Sequence, residues 1–344
     1  MTLPPHINTE AELEEALAAP TPADLACVAR LDGDILVLGA GGKMGPSLAR
    51  RVHRAMVGSG GRHRVVAASR FSSPSVRAGL EAEGIETRVC DLLEPADIAA
   101  LPQCPSVLFL AGRKFGTLDR TDITWATNTV VPARVAEHFS RSRLVVFSTG
   151  NVYPLVDVAG PASTEADVPA PVGEYAQSCL GRERVVEFVS REQQLRALIY
   201  RLNYAVDLRY GTLVDIARRV FASEPIDLTV GFFNAIWQGD ANSYALRSLE
   251  LCASPPEVLN VTGPERIAVR ETAEWVGSAF GVRPSFLNTE GPVALLSDSS
   301  RCVARLGPPV VPLATLRQWV AHWVELGGSS LNKPTHFEVT DGRF

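Results

Sequence analysis

Ile35-Leu36-Val37-Leu38-Gly39-Ala40-Gly41-Gly42-Lys43-Met44-Gly45-Pro46 is the stretch on which the reading of this chain turns. Its four apolar residues read as a buried strand, its glycines as a loop, and Pro46 to Met56 as a helix with proline in the first turn. Glycines at 39, 42 and 45 allow a tight turn, a close approach of backbone to a diphosphate, and tight packing of the helix on the strand. The N–H groups and positive dipole of the first helical turn then face the anion. Glycine turns are common in loops. What marks this one as dinucleotide-binding is its place between a buried strand and a helix, at the head of a repeating strand and helix series. Gly39, Gly42, Lys43, Met44 and Gly45 are the expected contacts. Lys43 keeps two readings, a phosphate contact or a solvated loop charge.

Working outward, apolar runs recur at Val65 to Ser69, Glu86 to Cys90, Val107 to Ala111, Leu144 to Phe147 and Leu198 to Arg201, with amphipathic segments between them. Near-continuous Val, Ile and Leu in such runs predicts a parallel sheet covered by helices on both faces, a doubly wound α/β fold of Rossmann type. Ahead of it, residues 8–30 predict two short helices broken at Pro20 and Pro22. Beyond Tyr210 the pattern loosens, with a strand and turn at Val258 to Gly263, a Gly/Ser stretch from Gly327 to Ser330 and a polar tail. The expected organisation is an N-terminal helical arm (1–32), a dinucleotide-binding domain (33–205) and a smaller mixed α/β substrate lobe with tail (206–344).

The second run ends in Ser69-Arg70-Phe71-Ser72. A carboxylate there binds the ribose 2′-hydroxyl of NAD and would repel a 2′-phosphate, whereas a hydroxyl followed by a guanidinium attracts one. NADP(H) is therefore expected ahead of NAD(H), through Ser69 and Arg70. Arg77 is equally eligible if Arg70 is only a surface charge. Asp91 and Leu92, after the third run, fall where an adenine would lie, and Asp91 has a second reading as a cap for the segment starting at Glu94.

With 46% hydrophobic and 21% charged residues, 344 residues suffice for one large core or a core with a dependent lobe. The formal charge of −5, with basic residues scattered, gives no footprint for nucleic acid or anionic lipid. No apolar run is long enough to span a membrane, and residues 1–19 carry acid where a signal peptide carries base. Small-molecule partners and a cytoplasmic location are expected. The six cysteines form no CxxC, and no metal site is expected.

Together with Leu110-Ala111-Gly112, Asn128, Phe147-Ser148-Thr149-Gly150-Asn151-Val152-Tyr153, Arg201-Leu202-Asn203 and Leu259 to Glu265, these motifs resemble the NAD-dependent epimerase/dehydratase branch of the extended short-chain dehydrogenase/reductases. The resemblance spans about residues 34 to 324. It implies cofactor contacts at Ala111, Gly112 and Asn128, substrate contacts at Asn151 and Asn203, and chemistry by Thr149 and Tyr175. In that family the threonine holds the substrate oxygen while the tyrosine of a YxxxK helix exchanges its proton beside the nicotinamide. It also implies a homodimer through the helices carrying Asn128 and Tyr175, for which Val130, Val131, Val135, Leu180, Val185, Val186 and Phe188 are candidates.

The pattern is broken in two places. Tyr175-Ala176-Gln177-Ser178-Cys179 puts cysteine where the lysine belongs, and an isolated phenol with a pKa near 10 is a weak base at neutral pH. The chain has only three lysines, Lys43, Lys114 and Lys333. Arg182 lies on the same helical face as Tyr175 but about 10 Å along the axis, and is a poor replacement. Lys114, after the fourth strand, faces the ligand side of such a sheet and is a substrate-site candidate, with a solvated loop charge as its blander reading. Secondly, Phe286 to Leu296 contains no arginine to hold a diphosphate, which counts against a nucleotide sugar. The expected function is an NAD(P)-dependent oxidoreductase, epimerase or dehydratase acting at a hydroxyl or carbonyl carbon of a sugar-like or sugar-acid substrate. The alternative is a dinucleotide-binding regulatory or structural protein that has lost the chemistry.

Overall fold

The computed structural model describes residues 3–114, 116, 119–333, 335 and 337–342. Seven parallel strands form the central sheet: Ile35–Leu38 (β1), Val65–Ser69 (β2), Glu86–Val89 (β3), Ser106–Phe109 (β4), Arg143–Thr149 (β5), Arg196–Leu202 (β6) and Glu257–Val261 (β7). Their order is β7-β6-β5-β4-β1-β2-β3. The order reverses between β1 and β4, so a crevice opens at the carboxyl ends of those two strands. The inner strands β1 and β4 are buried at every residue, as their unbroken apolar runs require.

The helices are Glu10–Ala18 (α1), Pro22–Val28 (α2), Gly45–Gly58 (α3), Pro74–Ala82 (α4), Pro95–Ala99 (α5), Thr121–Trp125 (α6), Val131–His138 (α7), Gly173–Gln193 (α8), Thr212–Phe221 (α9), Gln238–Arg247 (α10), Val269–Phe280 (α11), Ser300–Leu306 (α12) and Leu313–Glu325 (α13). Both arm helices start where their caps predict. Thr9 accepts from the Glu12 N–H, and Thr21 and Asp24 form a capping box. The two arm helices serve different cores. Leu13 and Leu17 of α1 join the core of the smaller lobe with Trp319 and Trp323, while Cys27 and Val28 of α2 join the sheet's core.

One placement differs from the sequence reading. The strand at Val258, assigned there to the smaller lobe, is the edge strand β7, paired with β6 from Glu257↔Leu198 to Val261↔Leu202. Helix α10 packs on the same core through Ala241, Tyr244 and Leu246. The chain thus leaves the sheet after β6 and returns to it. The lobe proper is built on α9, α11 and α13, and no described helix is long and apolar enough to cross a membrane.

Candidate functional site

The glycine loop explains how the crevice is shaped. Gly39 has φ +88°, and a β-carbon there would come within 2.8 Å of the Ala111 nitrogen, so the loop can pass under β4 only without a side chain. A β-carbon on Gly45 would lie 2.6 Å from the Gly39 carbonyl oxygen, and its absence lets α3 seat directly on the end of β1. Helix α3 carries no side-chain cap at Met44, so its first-turn N–H groups are left for a ligand. An uncapped fourteen-residue helix behind a cradle that β-carbons would fill fits a dinucleotide diphosphate.

The crevice has two adjoining halves. One, of about 370 Å³, is lined by Ser69, Arg70, Asp91, Leu92, Ala111 and Gly112. Arg70 is exposed at its rim and has no ion-pair partner among the described residues. Arg77 is paired with Glu81 at 2.8 Å and bonded to Thr87, with both partners of the ion pair half exposed. Asp91 accepts from the Leu93 N–H in a local turn, while the cap position of α5 is Glu94.

The other half, of about 740 Å³, is lined by Gly42, Lys43, Met44, Lys114, Tyr175 and Arg182 among others. Lys43 turns down from the loop. Its Nζ donates to the Ala205 carbonyl at 3.1 Å and sits 3.9 Å from the Tyr210 ring centre. The side chain is open to the crevice yet ringed by protein on its other sides, and that crowding lowers its pKa to about 7. Desolvation likewise lowers Lys114 to about 8.

Thr149 ends β5 and Tyr175 lies in the first turn of α8, with its phenol close enough to the Thr149 hydroxyl for the two to interact. Thr149 Oγ1 also donates to Asn151 Oδ1 and accepts from the Asn151 N–H, both at 3.2 Å. Burial pushes the Tyr175 phenol well above its ordinary range. The Cys179 thiol pushes the same way, and the Arg182 guanidinium opposes them. Burial raises the Cys179 thiol too.

Arg182 reaches further than helical rise alone suggests. Helical side chains lean toward the N-terminus, and a long one covers the turn before its own. Arg182 does so, donating to the Phe147 carbonyl at 2.5 Å, the Asn128 carbonyl at 3.2 Å and Asn128 Oδ1 at 2.8 Å. It is the buried cation that acts on the phenol, although about two turns separate the backbones. Asn128 sits in a π-helical turn, Ala126–Val130, behind the crevice wall. Both of its amide atoms are committed, the oxygen to the Arg113 N–H and Arg182, the nitrogen to the Arg113 carbonyl and Ser178. Asn203 lies behind Gly150, its Nδ2 without a hydrogen-bond partner among the described residues.

Sequence reasoning missed a second buried layer. Glu183 and Arg201 form an ion pair at 2.6 Å, both about 95% buried. Glu183 accepts from Ser148 at 2.5 Å, and Arg201 donates to the Tyr153 hydroxyl, which donates to Asn260. This network fixes the ends of β5, β6 and β7 around Thr149. Glu183 follows Arg182 in a helix, a position that reads in sequence as solvated charge.

A family model described as the NAD-dependent epimerase/dehydratase family matches residues 35–206, half of the chain. The chain belongs to that family. Membership places it among NAD-dependent epimerases and dehydratases. Among solved structures, MoeE5 in complex with UDP-glucose and NAD is 20% identical, with TM-score 0.67, covering 86% of this chain and 98% of that one. The Bacillus cereus UDP-glucuronic acid 4-epimerase is 16% identical, with TM-score 0.69 and 85% and 99% covered. The Thermus thermophilus UDP-glucose 4-epimerase with NAD is 18% identical, with TM-score 0.67 and 85% and 99% covered. These three share the fold. No curated protein sequence matches the chain.

Proposed function

We propose that this protein is an NADP(H)-dependent oxidoreductase, epimerase or dehydratase acting at a hydroxyl or carbonyl carbon of a sugar-like or sugar-acid substrate. The observation that carries the reading is the Thr149 and Tyr175 hydroxyl pair, brought together beside the larger half of the crevice. Gly42, Met44 and Gly45 would hold the diphosphate, Ser69 and Arg70 the ribose phosphate, Asp91, Leu92, Ala111 and Gly112 the adenosine side. When bound, the nicotinamide supplies or accepts hydride. Thr149 would fix the substrate oxygen, and Tyr175 would give it a proton or take one. A neutral phenol in a desolvated site is a competent proton donor at pH 7 and a poor acceptor. At neutral pH the phenol is therefore in the form that carbonyl reduction requires.

The named complexes among the similar structures hold NAD. The preference for NADP(H) rests on the Ser69-Arg70 pair at the rim of the smaller half. We also propose a homodimer and a cytoplasmic location. The test of function is turnover of carbonyl and polyol compounds with NADPH or NADP⁺, followed at the nicotinamide absorbance. Activity lost in Tyr175→Phe, with NADPH binding kept, supports an enzyme. Cys179 in the motif-lysine position favours a second reading, a dinucleotide-binding regulator. Tight NADPH binding with no turnover across the same screen would select it.

A further inference from the structure

The C-terminal tail read from sequence as a polar appendage packs against the site. Leu331 and Lys333 line the larger half of the crevice with Tyr175 and Lys114. Phe337, Val339, Thr340 and Gly342 then fill the space outside Asn151 and Tyr153, leaving a cavity of only about 50 Å³, little more than one or two waters need. The Gly342 carbonyl reaches the start of α8, so close that a β-carbon on Gly173 would lie 2.5 Å away.

The tail is held by specific bonds. Thr335 donates to Asp215 through backbone and hydroxyl at 2.8 and 2.6 Å, Glu338 pairs with Arg219 at 2.9 Å, and Phe337 is 3% exposed in the lobe core. Arg218 binds the Gly328 and Ser329 carbonyls. The lobe arginines that a diphosphate would call on are accordingly engaged: Arg218 and Arg219 by the tail, Arg266 by the Val158 and Gly160 carbonyls. Arg209 is engaged by Asp207 and Glu14.

The charge balance of the cavity points the same way. All three lysines of the chain line it, with Arg182, while the two other arginines on its wall are paired, Arg50 with Glu14 and Glu83 and Arg209 with Glu14 and Asp207. Lys114 lines the same cavity as Tyr175, so one of these amines stands on the wall that carries the reacting phenol.

We propose that the tail is part of the substrate site: it fills the outer pocket, brings Lys333 to the crevice, and restricts the substrate to a small free carboxylate carrying a hydroxyl or carbonyl, with no nucleotide attached. The proposal rests on the oxidoreductase reading and narrows its substrate class. Three sets of compounds, titrated calorimetrically into the full-length NADP⁺-loaded protein, test it: free uronic and aldonic acids, their neutral parent sugars, and UDP-glucuronate. At least one free acid should bind roughly tenfold or more tightly than its neutral parent, the worth of one charge-assisted hydrogen bond. Lys333→Met should reduce that preference. UDP-glucuronate should give no binding heat with the wild type and should bind when Arg218→Ala/Arg219→Ala releases the tail.

UDP-glucuronate binding to the wild type, or no preference for any acid, would overturn the proposal, and both comparisons need no variant to fold. The two readings fail separately. An acid that binds but is never turned over defeats the enzyme and leaves the substrate site standing. Turnover confined to neutral sugars or to UDP-glucuronate does the reverse.

Discussion

Arg70 and Tyr175 carry the chemistry that single substitutions can expose. An exposed guanidinium beside Ser69 should give NADPH a several-fold or greater advantage over NADH, and Arg70→Ala should erase it. Fluorescence titrations of both nucleotides read this directly, and equal affinities in the wild type would refute it. Tyr175 belongs to a pH experiment. Its phenol is raised, so the ionised form needed to accept a proton accumulates only at alkaline pH, while the neutral form needed to donate persists through neutrality. Oxidation should therefore climb toward alkaline pH, and reduction should hold its rate near pH 7. Cys179→Lys should shift the oxidation optimum downward while Cys179→Met does not. Identical profiles for wild type and both variants would show that the proton relay does not run through this position. Lys43 and Lys114, lowered to about 7 and 8, give a third readout. An anion bound beside them restores their charge, so NADPH binding at pH 8 should take up protons. Calorimetry in buffers of different ionisation enthalpy measures the uptake, and none would contradict the placement of these amines.

At the scale of elements, the arm is the part whose attachment can be tested. Asp24 in α2 is fully buried. It accepts from Arg51 of α3 at 2.7 Å, from the Thr21 N–H and from Ser243 of α10. Breaking a buried pair leaves an uncompensated charge, so Asp24→Asn should cost about 3–5 kcal/mol in chemical denaturation. A loss near zero would mean the arm is only draped on the surface. What the sequence disclosed about elements follows from where their information is local. The strands Ile35–Leu38 and Val65–Ser69 and the arm helices are written in contiguous apolar runs, prolines and caps, and they fall at the expected residues. The sheet position of Glu257–Val261 is a pairing with residues about sixty positions earlier, which periodicity does not record. Arg182 and Glu183 were opaque for a related reason. A charge in a helix reads as solvated until the neighbouring strand ends show what it reaches.

For the whole molecule, the proposed dimer has a surface that the structure narrows. Val131, Val135 and Val186, offered from sequence as interface residues, are buried in the chain's own core. Val130 and Phe188 remain exposed, at 44% and 64%, as does Trp125 at 37%. Phe188→Glu should then weaken association, and sedimentation of the wild type should give a particle near twice 37.0 kDa. A wild-type particle of monomer mass at micromolar concentration would rule the dimer out.

The three lysines all line one cavity. Reagents that acylate or reductively alkylate side-chain amines are usually indiscriminate surface labels. On this protein they become site-directed, because apart from the chain terminus they find primary amines only inside the crevice. Reaction needs the neutral amine, so Lys43 should modify fastest at neutral pH. The practical consequence is that amine coupling to a sensor chip or dye would tend to block the site under study, while bound dinucleotide would protect it. Attachment through an added terminal tag avoids the conflict.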